Sequence, residues 1–305
     1  MIKYKEVVEL EDIRILWNQE FGFIYPITKA VFKQNIIDYQ NLKAFGAYDE
    51  SQLVGFIICK DNITNIESYK NLGWISLFMV AKPYRRQGIG SVLLHSAETY
   101  FKDKSEILIG RDVFNFFPGV PIDFNNLSDS WLIRRGYIDG GYTHDVVNTH
   151  LKKMELRNNK FRYQICTLKE KDALLGFMKN NFPGRWYYEA SDYFANGGNG
   201  NEYAICLDND KVIAFARTND RSFKHIHYNT TWYDRFNSLG GIGPLGVDKT
   251  YRGQDLGFDI VAYANNALLS RGITEIIIDW TGLLEFYRQF GFEVFKSYKY
   301  LSKKG

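Results

Sequence analysis

The chain has 305 residues, with 38 Lys and Arg against 35 Asp and Glu, a net charge of +3, and 45% hydrophobic content. It is long enough for two domains, and its charge balance lacks the excess that draws a protein to nucleic acid or to a membrane surface. Cys59, Cys166 and Cys206 are widely spaced, without the CxxC pattern of a zinc site or a disulfide framework. The N-terminal MIKYKEVVELED has no apolar signal core and no run reaches membrane-spanning length, so the expected location is the cytoplasm.

In chain order, AFGAYDESQLVGFIIC (44–59) reads as a hairpin, two apolar runs around a polar turn. WISLFMV (74–80) is a strand. KPYRRQGIG (82–90) joins it to a helical segment, SVLLHSAETYF (91–101). A β-branched strand, SEILIGRD (105–112), follows, then a stiff apolar insertion (112–130), then a helix ending in glycine-aromatic, SWLIRRGY (130–137). The lysine-rich KKMELRNNK (152–160) reads as a joint.

The same order then returns: a hairpin at 202–217, the phrase KTYRGQDLGFDIV (249–261), a strand TEIIIDW (274–280), and a helix ending in EFYRQFGF (285–292). Repetition of a whole order of elements predicts two domains of like fold, 1–155 and 156–305, each mixed α/β with a central sheet.

An Arg/Gly turn between a strand and a helix has a chemical use. A helix N-terminus presents unpaired N–H groups and a partial positive charge, glycine permits close approach, and arginine adds a fork of donors. Together they suit a diphosphate. The alternative is an ordinary glycine-capped surface turn.

Val80 followed by Arg85-Arg86-Gln87-Gly88-Ile89-Gly90 resembles the acyl-CoA motif, Arg/Gln-x-x-Gly-x-Gly/Ala, of the GCN5-related N-acetyltransferases (GNAT). Downstream, Asn125-x-x-Ser128-x-x-x-Leu132 before Gly136-Tyr137, and Leu283-x-x-x-Tyr287 before Gly291-Phe292, resemble that family's Asn-x-x-Ala-x-x-x-Tyr. The resemblance covers both halves. It implies a tandem acetyltransferase whose domains each have a mostly antiparallel central sheet flanked by helices.

The resemblance further implies acetyl-CoA as acyl donor and a small-molecule amine as acceptor; no metal is expected, since neither the cysteine nor the histidine spacing offers a ligand set. The strand groups of Phe78, Met79 and Val80, the loop Arg85, Arg86, Gln87, Gly88, Ile89, Gly90 and Ser91, and Asn125 are the expected cofactor-binding residues. The phrase Phe-Phe-Pro-Gly-Val-Pro (116–121) resembles that of tandem acetyltransferases of the glucosaminide kind, which implies an amino-sugar acceptor.

The halves depart from the pattern differently. The first keeps both loop glycines but has Leu132 where the family often uses a tyrosine acid. The second keeps Tyr287 but has Asp255 for the first motif glycine, and Pro244 in the preceding strand. The expectation is that the first half binds acetyl-CoA and is catalytic, and that the second binds it poorly. An attacking amine needs a base. Candidates are Asp112, Asp123 and Asp129, with Tyr287 as the candidate acid in the second domain. The alternative is a non-catalytic acyl-CoA-binding or regulatory protein.

Two motifs fail their context tests. Gly241-x-Gly243-x-x-Gly246 matches GxGxxG but does not open a helix. His225-x-His227 lacks a third metal ligand nearby.

Overall fold

A computed structural model describes every residue except Asn125, Asn126 and Asn159. The chain divides into two compact units, Met1–Thr143 with Lys296–Gly305, and His144–Phe295. The division falls ahead of the expected joint, and the last ten residues count with the first unit. The segment read as a joint is bonded into the second unit: the Met154 N–H donates to Asn266 Oδ1 at 2.9 Å, and Leu151 and Met154 pack on that unit's core.

The first stretch of chain forms β1 (Lys3–Glu6), α1 (Glu11–Phe21), α2 (Lys29–Phe32), β2 (Leu42–Asp49), β3 (Gln52–Asp61), β4 (Leu72–Val80), α3 (Ile89–Tyr100), β5 (Glu106–Ile109), β6 (Val120–Pro121), α4 (Leu127–Ile133) and β7 (Ile138–Asn148). Then come β8 (Arg162–Ile165), α5 (Lys171–Asn181), α6 (Arg185–Ala195), β9 (Tyr203–Asp208), β10 (Lys211–Asp220), β11 (Leu239–Val247), α7 (Leu256–Ser270), β12 (Glu275–Thr281), α8 (Leu284–Arg288) and β13 (Glu293–Lys304).

In the first unit the strands run β1-β2-β3-β4-β5 with the end of β13 on β5; in the second they run β8-β9-β10-β11-β12 with the end of β7 on β12. Pairing is antiparallel apart from β4 with β5 and β11 with β12.

Helix spacing decides what packs on each sheet. In α3, Ile89, Leu93, Leu94 and Ala97 recur every three to four residues and bury against Val54, Ile57 and Ile75. In α7, Leu256, Ile260, Ala264 and Leu268 do the same against Ala214, Ile242 and Ile276. Each buried leucine, isoleucine or valine among them contributes about 1.5–3 kcal/mol.

In both units the parallel pair opens. β4 pairs with β5 only over Leu72–Ile75 and continues to Val80; β11 pairs with β12 only over Leu239–Gly241 and continues to Val247. The registers are equivalent, Leu72 opposite Glu106 and Leu239 opposite Glu275, so Gly110 and Asp279 hold the same place in their units.

Candidate active site

In the first unit, β4 leads into a short turn and then the loop ahead of α3. Arg86 and Gly88 take positive φ, 62° and 83°, and a Cβ at Gly88 would meet nothing within 4 Å. The amides of Arg86, Gln87, Gly88, Ile89 and Gly90 find no acceptor among the described residues, whereas Ser91 and Val92 already donate to the Gly88 carbonyl at 2.9 and 3.2 Å. Ser91 therefore offers only its hydroxyl, which accepts from Arg135 Nη2 at 2.9 Å. The Ile89 side chain is buried, and Gln87 Nε2 donates to the Pro83 carbonyl at 3.0 Å.

Arg85 is engaged within the unit. Its Nε donates to the Val80 carbonyl at 2.7 Å and its Nη2 to Glu20 at 2.8 Å. The Ala81 N–H donates to the Val54 carbonyl, and antiparallel alternation then turns Met79 toward β3 and the backbone groups of Phe78 and Val80 away from it. Of the three strand residues expected to supply backbone groups to a ligand, Phe78 and Val80 turn theirs away from β3, with the Val80 carbonyl taken by Arg85, and Met79 is spent on the ladder. Asn125 lies outside the described residues.

The candidate bases of this unit are all paired. Asp112 is fully buried, with Lys60 Nζ at 2.7 Å and the Ser76 hydroxyl at 3.0 Å, both on Oδ2. Lys60, itself fully buried, also donates to the Phe114 carbonyl at 3.0 Å. Asp123 meets Lys296 at 2.6 Å, and Asp129 meets Lys299 at 2.9 Å.

The insertion folds inward, with Val113, Phe116 and Phe117 buried. At Gly110 a Cβ would fall 2.3 Å from the Phe117 carbonyl oxygen, so no side chain fits there. Leu132 is buried in the core.

The second unit keeps the turn and changes its chemistry. Asp255 takes the left-handed conformation, φ 60°, that Gly88 takes in the first. Aspartate tolerates that region better than most residues, so the backbone path is kept. The Asp255 carboxylate meets Arg157 Nη1 at 3.4 Å, and the Arg157 guanidinium lies 3.4 Å from the Phe258 ring centroid. The amides of Arg157 and Asn158 end on the Asp259 carboxylate at 2.7 and 2.9 Å. A cation thus stands beside the misplaced anion. The alternation set by the Asp248 N–H on the Ile213 carbonyl turns Leu245 and Val247 away from β10, as Phe78 and Val80 turn from β3.

Beyond the opening of β11 from β12 stands Asp279. Its Oδ1 accepts from Asn229 Nδ2 at 3.1 Å. Burial pushes its carboxyl up to about 6, against the lowering effects of its own backbone N–H, the Asn229 hydrogen bond and the nearby Arg185. Trp280 follows at φ 52°, a conformation costly for a bulky residue.

Tyr287 lies in the core cluster, 4% exposed, and its hydroxyl makes no hydrogen bond with a described residue. Burial first, then the charge of Asp279, holds that phenol protonated far above neutrality. Burial thus raises both the Asp279 carboxyl and the Tyr287 phenol, and the two groups interact electrostatically.

The model of the acetyltransferase (GNAT) family matches residues 10–115 and 162–292. The chain belongs to the GNAT family. It carries two GNAT domains, and the mixed α/β sheets described above are theirs. A search of curated proteins gave no match.

Among solved structures this GNAT chain resembles the glucosamine N-acetyltransferase region of a fungal multi-domain GH3 beta-N-acetylglucosaminidase, at TM-score 0.89 and 24% identity over 99% of this chain. The chain spans 38% of that protein's length. It also resembles a GCN5-related N-acetyltransferase from Sphaerobacter thermophilus (TM-score 0.72, 12% identity, 99% of this chain and 95% of that one). A tandem GNAT protein from the clavulanic acid biosynthesis pathway matches at TM-score 0.69 and 10% identity, over 100% of this chain and 98% of that one.

Asp279 and Asn229 were not legible as site residues. The signal available was the pairing of EILIG (106–110) with EIIID (275–279), which sets an aspartate against a glycine at a strand end. Among the described residues no group of three or more His, Cys, Asp or Glu is placed to hold a metal. His227 instead meets Glu202 at 3.1 Å, beside the Arg217–Glu202 pair.

Proposed function

We propose that this GNAT chain transfers the acetyl group of acetyl-CoA to the primary amine of a small molecule, with an amino sugar as acceptor, and that the reaction runs in the second unit. The observation that carries this reading is Asp279 with Tyr287 beside the opened β11. The amine nitrogen attacks the thioester carbonyl and passes its proton to Asp279 Oδ2. The carbon–sulfur bond breaks, and Tyr287 gives its proton to the departing thiolate. The backbone of Leu245 and Val247 and the amides ahead of α7 would hold the donor, with Arg157 offsetting Asp255.

The amino-sugar reading draws support from the acceptor named for the fungal neighbour and from the polar and aromatic side chains near Asp279. Asn229 and Trp280 are there, with Arg185, whose guanidinium lies 5.1 Å from the Trp280 ring centroid. Planar hydrogen-bonding groups beside an aromatic face suit a polyhydroxylated ring.

The first unit favours a second, complementary reading. Its cradle of free amides is intact, but Gly110 stands where Asp279 would be and Leu132 where Tyr287 would be. It would bind an acyl-CoA without turning it over.

The test is thiol release from acetyl-CoA over a panel of amino sugars, polyamines and amino acids. Turnover on an amino sugar, lost by about a hundredfold or more in Asp279→Asn, is the expected result. CoA binding with no turnover on any amine would leave only the binding reading.

A further inference from the structure

The glycine-spaced strand Gly241-x-Gly243-x-x-Gly246 is not a nucleotide loop, yet its glycines are not idle. A Cβ at Gly241 would fall 2.1 Å from Asn229 Oδ1. A Cβ at Gly243, where φ is 145°, would press on Asp279 Oδ1 at 3.1 Å. A Cβ at Gly246 would enter the Phe182 ring at 2.4 Å. Two of the three open the strand to one amide and one carboxylate.

Asn229 itself is buried, in the short turn Tyr228–Thr230. Its Oδ1 accepts from Asn219 Nδ2 at 3.1 Å, which aims its own Nδ2 at Asp279 Oδ1, 3.1 Å away. Asn219 also donates to the Gly243 carbonyl at 3.3 Å. The chain neighbours of the pair are tied to one buried carboxylate: Tyr228 Oη donates to Asp145 Oδ2 at 2.7 Å and the Trp280 N–H to Asp145 Oδ1 at 3.1 Å.

We infer that Asn229 is a positioning residue for Asp279, seated by Gly241 and Gly243 and aimed by Asn219, so that Oδ1 is fixed and Oδ2 alone is presented to the acceptor amine. The catalytic part of this inference rests on the proposed role of Asp279 as base; the geometric part does not. Fixing one oxygen removes the rotation that would otherwise share the proton-accepting role between two positions, and precise placement of a reacting group is worth large factors in rate. The donor also favours the charged form of the carboxylate. The other charged or titratable groups near Asp279 are Arg185 and Glu189 of α6, Tyr287 of α8 and Asp145 of β7.

The test is carboxyl-carbon NMR titration of aspartate-labelled full-length protein, with the Asp279 signal assigned by its absence in Asp279→Asn. Asn229→Ala and Gly241→Ala, each checked for folding by its thermal melt, should move the Asp279 midpoint upward. Turnover on the best amine should fall by roughly ten- to hundredfold, with the acid limb of the pH–rate profile moving the same way. Asn229→Ala can fail to fold. Gly241→Ala then decides, since it displaces Asn229 without removing it. An unchanged midpoint in the folded variants overturns the inference. Full turnover by Asp279→Asn, with the midpoint still shifted in the other variants, sinks Asp279 as base while leaving the positioning geometry standing.

Discussion

At the scale of single residues, environment separates aspartates that look alike in the sequence. Asp112 ends in a buried ion pair with Lys60, each fully buried. Removing one partner strands a charge, so Asp112→Ala should cost about 3–5 kcal/mol of stability, read as a lowered urea midpoint with unchanged slope. Asp279 is the opposite case. Its folded-state value of about 6 lies above the ordinary aspartate value of 3.8, so folding favours the protonated form. The contribution is fully present below the unfolded value and is lost as pH rises through about 6, at most about 3 kcal/mol at neutrality. Asp279→Asn should therefore raise the melting temperature near neutral pH and change it little in acid, while turnover collapses. Wild-type turnover should fall as pH drops through about 6, and a flat acid limb would exclude Asp279 as base. No composition or spacing rule distinguishes these two residues, because burial and partners are tertiary properties.

At the scale of elements, the turn ahead of each helix was legible and its occupant was not. Glycines and arginines at a strand-to-helix junction mark a turn with exposed amides, and in the first unit five consecutive amides, 86–90, stand without acceptors among the described residues. The sequence also showed Asp255 as a departure. It did not show that Asp255 would keep the left-handed turn, or that Arg157, 98 residues earlier in the chain, would stand against its carboxylate. Gly88→Asp should reduce the coenzyme A taken up in calorimetry. Asp255→Gly should lower the KM for acetyl-CoA in turnover, by removing a charge that repels the diphosphate and relaxing a positive φ. An unchanged KM in Asp255→Gly would place the donor site elsewhere.

At the scale of the whole molecule, the repeat read from the sequence is a repeat of fold, but the units are not two successive segments of chain. Lys296–Gly305 belongs to the first unit, where Ser302–Lys304 pair with Glu106–Leu108 and Tyr298 and Leu301 are fully buried. Truncation after Phe295 should strip about 1.5–3 kcal/mol per buried side chain from that unit. In hydrogen exchange, Ile107 and Leu108 should lose protection while β9 and β10 keep theirs. Equal loss in both units would contradict this assignment.

The sequence by itself determined the family, the duplicated order of elements and the glycine-arginine turn, because these depend on local signals: periodicity, turn residues and one short motif. Only the tertiary structure decided which half sets a buried carboxylate beyond its opened strand pair. That answer depends on Gly110 and Asp279 holding equivalent places, on a loop backbone filling one crevice, and on Asn229 reaching the other from a turn 50 residues away. Such choices are made by contacts between distant segments, and a linear pattern of residues does not contain them.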